Sequence, residues 1–127
     1  MTASPEGPPG LILFAHGARD PQWSEPFLRL RDRLRDVAPA ARVELAFLEH
    51  MSPDVATAAA RLADSGCTRI RIVPVFLGRG GHLQKDLPSL IDAIRAAYPL
   101  IDVRPSAPAG ESDVVIAAIA AYCAAQL

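Results

Sequence analysis

Leu11–Ala15 reads LILFA, an unbroken apolar run that stops at His16-Gly17. A run this short, apolar throughout and bounded by glycine, is the pattern of a strand buried on both faces. Such strands belong to parallel sheets covered by helices. The next residues agree. Asp20-Pro21 supplies a capping side chain and then a proline at the first helical position. Trp23, Phe27, Leu30 and Leu34 follow at three- and four-residue spacing, a helical stripe that reaches Val37 before Pro39 ends it.

The alternation repeats outward from there. Arg42–Leu48 (RVELAFL) reads as a second strand ending at Glu49. Ser52-Pro53-Asp54 repeats the cap-then-proline start, Val55, Ala59, Leu62 and Ala63 give the second helix its apolar side, and Gly66 stops it. Arg69–Leu77 (RIRIVPVFL) reads as a third strand, with an irregularity expected at Pro74 because proline donates no ladder hydrogen bond. Gly78-Arg79-Gly80-Gly81-His82 reads as a flexible loop. A third helix is expected from Gln84 to Tyr98, starting in earnest near Asp86 because of Pro88, with Leu87, Leu90, Ile91 and Ile94 facing inward. Ile101–Pro105 is a short fourth strand and Glu111–Gln126 an Ala-rich last helix. The order βαβαβαβα predicts an α/β, flavodoxin-like three-layer sandwich: a four-stranded parallel sheet, order 2-1-3-4, with helices on both faces.

The 127 residues fit one domain, 1–127, and the 50% hydrophobic and 21% charged content is that of a globular chain. A net charge of −1 argues against a nucleic-acid partner. No apolar run approaches the roughly 20 residues that a membrane helix needs. Residues 1–9 lack the basic start and apolar stretch of a signal peptide and read as a flexible tail, so the chain is expected to be cytoplasmic. Cys67 and Cys123 form no CxxC pair and are expected to be reduced and packed.

Ligands of such sheets bind beyond the carboxyl ends of the strands, where strand order reverses. His16, Glu49, His50 and His82 all fall there. Strands 1 and 3 should be neighbours about 4.8 Å apart, so His16 and His82 can meet in space, while Glu49 starts about 10 Å from strand 3. A histidine pair is therefore expected first, with Glu49 second, either as a participant or as a cap for the helix after Ser52. His50 reads as structural, because Glu49 already holds the strand end. Two imidazoles and a carboxylate suit cobalt, nickel, iron or zinc. They leave a site too open for structural zinc but suitable for an ion in transit. Arg19, Arg79 and Lys85 lie near the same rim, as solvated charges or as holders of carboxylates.

LILFAHGARDP (Leu11–Pro21), LAFLE (Leu45–Glu49) and VPVFLGRGGHLQKDLP (Val73–Pro88) together resemble the CbiX/SirB family of sirohydrochlorin chelatases, in order, from Leu11 to Tyr122. Ala18 stands where the family commonly has serine. The resemblance implies that His16 and His82 bind the incoming metal and assist its insertion, and that Glu49 acts in the site. It implies a short form that pairs as a homodimer around the macrocycle, since larger members carry two such halves.

The activity so implied is insertion of cobalt, nickel or iron into sirohydrochlorin, in cobalamin- or siroheme-type tetrapyrrole biosynthesis, with the metal as substrate and no permanent cofactor. A neutral histidine can deliver the metal and take up a pyrrole proton. Ionised Glu49 can attract the cation and relay the other proton. Gly78, Gly80 and Gly81 would let the loop approach a flat ring, with Arg19, Arg79 and Lys85 binding substrate beside Gly80 and Gly81. The alternative is a non-catalytic metal or tetrapyrrole carrier using the same histidines. A flavin or receiver module lacks its Ser/Thr-rich loop or aspartate cluster here, and a hydrolase lacks its GxSxG elbow.

Overall fold

The computed structural model describes residues 7–78 and 81–127, without the side chains of residues 82–84. Strands β1 (Pro9–Ala15), β2 (Arg42–Phe47), β3 (Arg69–Pro74) and β4 (Asp102–Pro105) alternate with helices α1 (Glu25–Val37), α2 (Val55–Asp64), α3 (Gly81–Ala97) and α4 (Asp113–Ala124). All pairings are parallel and the order is β2-β1-β3-β4, as the alternation of elements predicts.

Successive strand residues point to opposite faces, and β1 is apolar to both. Ile12 and Phe14 join Ala46, Ile70, Ile72 and Val103 under α2 and α3, which contribute Val55, Ala58, Ala59, Leu62, Ile91 and Ile94. Leu13 and Ala15 join Val43, Leu45 and Phe47 on the other face, packed by Trp23, Phe27 and Leu34. The rings of Trp23 and Phe27 lie 4.7 Å apart, centroid to centroid. Of the predicted α1 stripe, Leu30 and its end at Val37 are exposed.

Several boundaries differ from the sequence reading. The chain enters β1 at Pro9, inside the span expected to be a flexible tail. Asp20 does cap, accepting from the Gln22 N–H, but the segment it starts is a 3₁₀ turn, Pro21–Ser24, that leads into α1. Ser52-Pro53 is a cis pair outside α2, and Asp54 is the true cap, accepting from the Thr57 N–H at 2.8 Å. β3 ends at Pro74 rather than Leu77. The carbonyl of Ile72 accepts from Ser106 on the β4 side, whereas the Val75 N–H donates to Phe14 on the β1 side. Residues at even positions of β3 therefore bond towards β4, and β4 stops at Pro105. The donor that Pro74 lacks falls where the ladder has already ended, so no bulge is needed.

α3 begins at Gly81, not Gln84, and runs through Pro88. His82 is therefore a first-turn helical residue instead of a loop residue. β4 starts at Asp102, and the last helix is preceded by a 3₁₀ turn, Ala109–Glu111. Both cysteines are free; burial of Cys67 raises its thiol pKa, but Cys123 is exposed rather than packed.

Candidate metal-handling site at the strand ends

β1 and β2 run in register to Ala15 and Phe47. Beyond that point the two chains stay bonded, with Leu48 N–H donating to the Ala15 carbonyl and Glu49 N–H to the His16 carbonyl. This holds the two backbones together where their next side chains enter solvent. Gly17 makes the approach possible. Its φ is +94°, and a Cβ there would lie 1.9 Å from the Glu49 carbonyl oxygen. Only glycine fits a left-handed position with that clearance.

The side chains that emerge meet. His16 Nε2 lies 3.0 Å from Glu49 Oε1, with both side chains about half exposed. An ionised carboxylate only accepts, so this contact requires the imidazole proton on Nε2. A second imidazole stands near the same oxygen: His50 Nε2 lies 3.7 Å from Glu49 Oε1, beyond hydrogen-bond distance. His50 has φ +67°, a left-handed backbone in a non-glycine residue. That turn brings its ring back towards the carboxylate instead of carrying it away.

The strand-end grouping expected for His16, Glu49 and His50 is thus present, with two differences of rank. Among the described residues, the partner of His16 is the carboxylate that sequence reading placed second. Glu49 does not cap α2, because Asp54 does. His50, read as structural, belongs to the cluster. Its place at the strand end, next to Glu49, is the signal in the sequence, and its positive φ is not written there. His82 lies in the first turn of α3, but its side chain is outside the described residues, as are Arg79 and Gly80. Arg19 is exposed in the loop after β1, Lys85 is exposed on α3, and Gly81 opens α3 with open space around it. Among the described residues, no group of three His, Cys, Asp or Glu side chains is arranged to hold a metal. The cluster is an open half-site.

Known proteins share this chain's family and fold. The CbiX family model matches residues 10–125. The sirohydrochlorin cobaltochelatase of Methanocaldococcus jannaschii is 32% identical over 66% of this chain, and the chain spans 59% of that relative's length. That of Sulfurisphaera tokodaii is 28% identical, covering 72% of this chain and 75% of the relative. A solved structure from Marinobacter aquaeolei, described as a CbiX protein of cobalamin (vitamin B12) biosynthesis, superposes with a TM-score of 0.81 at 29% identity, over 94% of this chain and 97% of that one. The cobalt complex of the sirohydrochlorin chelatase SirB from Bacillus subtilis subspecies spizizenii shares the fold, with a TM-score of 0.77 at 24% identity over 90% of this chain and 49% of that one. The family match takes in both strand ends that carry the cluster, and the chain belongs to the CbiX family.

Proposed function

We propose that this chain is a chelatase that inserts a divalent metal into sirohydrochlorin. The observation that carries the reading is the contact of His16 with Glu49 at the carboxyl ends of β1 and β2, in a family whose relatives include sirohydrochlorin cobaltochelatases. The metal is a substrate, and no permanent cofactor is involved. Cobalt is the first ion to test, with nickel and iron next; imidazole and carboxylate suit all three.

The reaction exchanges one divalent cation for two pyrrole N–H protons. When a cation arrives, His16 loses its Nε2 proton to solvent and takes one up at Nδ1, so the imidazole stays neutral while Nε2 and Glu49 Oε1 become ligands. His82, at the start of α3, is the further metal ligand that the family resemblance implies. As the metal passes to the macrocycle, its charge acidifies the ring nitrogens. His16 and Glu49, released from the ion, accept the two protons and return them to solvent. Arg19, Arg79 and Lys85 hold carboxylates of the ring, and Gly80 and Gly81 let the β3–α3 junction lie close to its plane.

The working unit is a homodimer in the cytoplasm, serving cobalamin- or siroheme-type synthesis, with residues 1–127 as one chelatase domain. α4 supports the pairing. It is apolar on every side, none of its residues is buried, and Val114 and Tyr122 are 80% and 71% exposed. A helix with that composition is ordinarily buried, and a second copy would cover it. No helix among the described residues is long and apolar enough to cross a membrane.

The test is an anaerobic assay with sirohydrochlorin and cobalt, nickel or iron, read by ring absorbance. Many metallated rings per protein are expected. A single ring per protein would identify a carrier, and no metallation with any of the three ions would refute the reading.

A further inference from the structure

Beside the His16–Glu49 pair, on the β2 shoulder, lies an open depression of about 390 Å³ lined in part by Arg19, to which the reaction above gives a ring carboxylate. Its floor is apolar, built by Leu28, Phe47 and Met51, and its rim carries Arg19, Ser24 and His50. Arg19 has no ion-pair or hydrogen-bond partner among the described residues, and it is exposed. His50 sits between the depression and Glu49, since its Nε2 is 3.7 Å from Glu49 Oε1.

The backbone of His50 adds a separate observation. A left-handed φ costs a non-glycine residue free energy, and such costs persist where the side chain is put to use. Glycine or asparagine would take φ +67° more readily. Neither would present an imidazole at the rim.

We propose that this depression is a subsite for one carboxylate-bearing arm of the macrocycle, gripped by Arg19 and His50. The inference rests on the chelatase reading and deepens it by naming the part of the substrate bound and a residue, His50, that acts in positioning. The chemistry matches on each side. An alkyl arm lies on Leu28, Phe47 and Met51, and its carboxylate receives charge-assisted hydrogen bonds from the guanidinium and an N–H···O bond from the imidazole. A ring pinned by its arm on this shoulder has its centre held beside His16 and Glu49. Insertion is then favoured through orientation, not through any step at the metal.

Steady-state insertion separates the roles, with the sirohydrochlorin and cobalt concentrations varied independently. Arg19→Gln and His50→Asn should each raise KM for the ring about tenfold, the equivalent of one charge-assisted hydrogen bond. KM for cobalt should stay unchanged, and kcat should stay within about twofold. Melting temperature should not fall in His50→Asn, because asparagine tolerates a left-handed backbone. Arg33→Gln, on an exposed turn of α1, removes an equal charge elsewhere and should leave both KM values alone. An unchanged ring KM in both variants overturns the subsite. A raised cobalt KM in His50→Asn overturns it too, by making His50 a metal ligand. If the unaltered chain metallates nothing, the chelatase reading fails by itself. Equilibrium binding of the metal-free ring, followed by its fluorescence, then still decides the subsite: tighter binding by the unaltered chain than by Arg19→Gln supports it, and equal binding contradicts it.

Discussion

The two halves of one sheet edge differ in chemistry. At the β1–β2 end, the strands release His16, Glu49 and His50 into solvent around a glycine that lets the backbones touch. At the β3–β4 end, the same edge forms a groove of about 450 Å³ lined chiefly by Pro74, Phe76, Leu87, Ile91, Pro105 and Pro108. Topology is common to both ends; residue type and the left-handed turns at Gly17 and His50 separate them. The fold supplies an edge at which ligands can bind; the described side chains bring imidazoles and a carboxylate together at the β1–β2 end, while the β3–β4 groove is mainly apolar, with Asp92, Arg95 and Glu111 also in its lining.

Substitutions at the two ends should have separable effects. The largest loss of stability is expected from Gly17→Ala. It combines a left-handed backbone with a contact of 1.9 Å to the Glu49 carbonyl, which together should cost about 4 kcal/mol. Because relief requires moving Glu49, metal affinity should fall with it. Urea unfolding and cobalt titration measure the two effects. Ile91→Ala, under the apolar groove, removes a side chain that is 4% exposed and should cost about 3 kcal/mol. Cobalt affinity of the folded protein should be unchanged, and a drop in that affinity would break the comparison.

The smaller effects sharpen it. Asp54→Ala should cost about 1 kcal/mol, as the loss of the α2 cap. The hydrogen bonds from Thr57 hold the Asp54 carboxyl below its ordinary value of 3.8. The stability it lends is therefore full above that value and is lost as pH falls through the lower folded value. Urea midpoints of the two proteins should converge in acid. Glu49→Gln should change stability by less than about 0.5 kcal/mol, since its bond to His16 is half exposed. Cobalt titration of the same variant should show weaker binding, which separates function from fold at this end.

Much of this was legible in the residues. LILFA announced a strand buried on both faces, and the alternation of elements gave the strand order. The spacing of Trp23, Phe27 and Leu34 marks the side that packs on the sheet, although Trp23 belongs to the 3₁₀ turn before α1. What was not legible depended on contacts made at a distance or on backbone angles. Val75–Leu77 have strand-forming side chains, but β1 ends at Ala15 and β4 at Pro105, so the ladder on either side does not continue along them. Pro88 suggested a late start for α3, yet inward packing by Leu87, Leu90, Ile91 and Ile94 offsets the hydrogen bond that proline removes. Ser52-Pro53 imitates a helix start that Asp54 in fact provides. At the site, placing His16 beside a carboxylate depends on the Gly17–Glu49 approach, and including His50 depends on a positive φ. α4 shows the same limit from the opposite direction, because its composition suggests burial while its own chain provides none.

The most direct test is the multiple-turnover rate of cobalt insertion into sirohydrochlorin by His16→Ala, compared with the unaltered chain under anaerobic conditions. His16 is exposed, so the variant should fold normally, as checked by its melting temperature, while the rate falls by at least about a hundredfold. Unaltered turnover by folded His16→Ala would show that the metal is handled elsewhere.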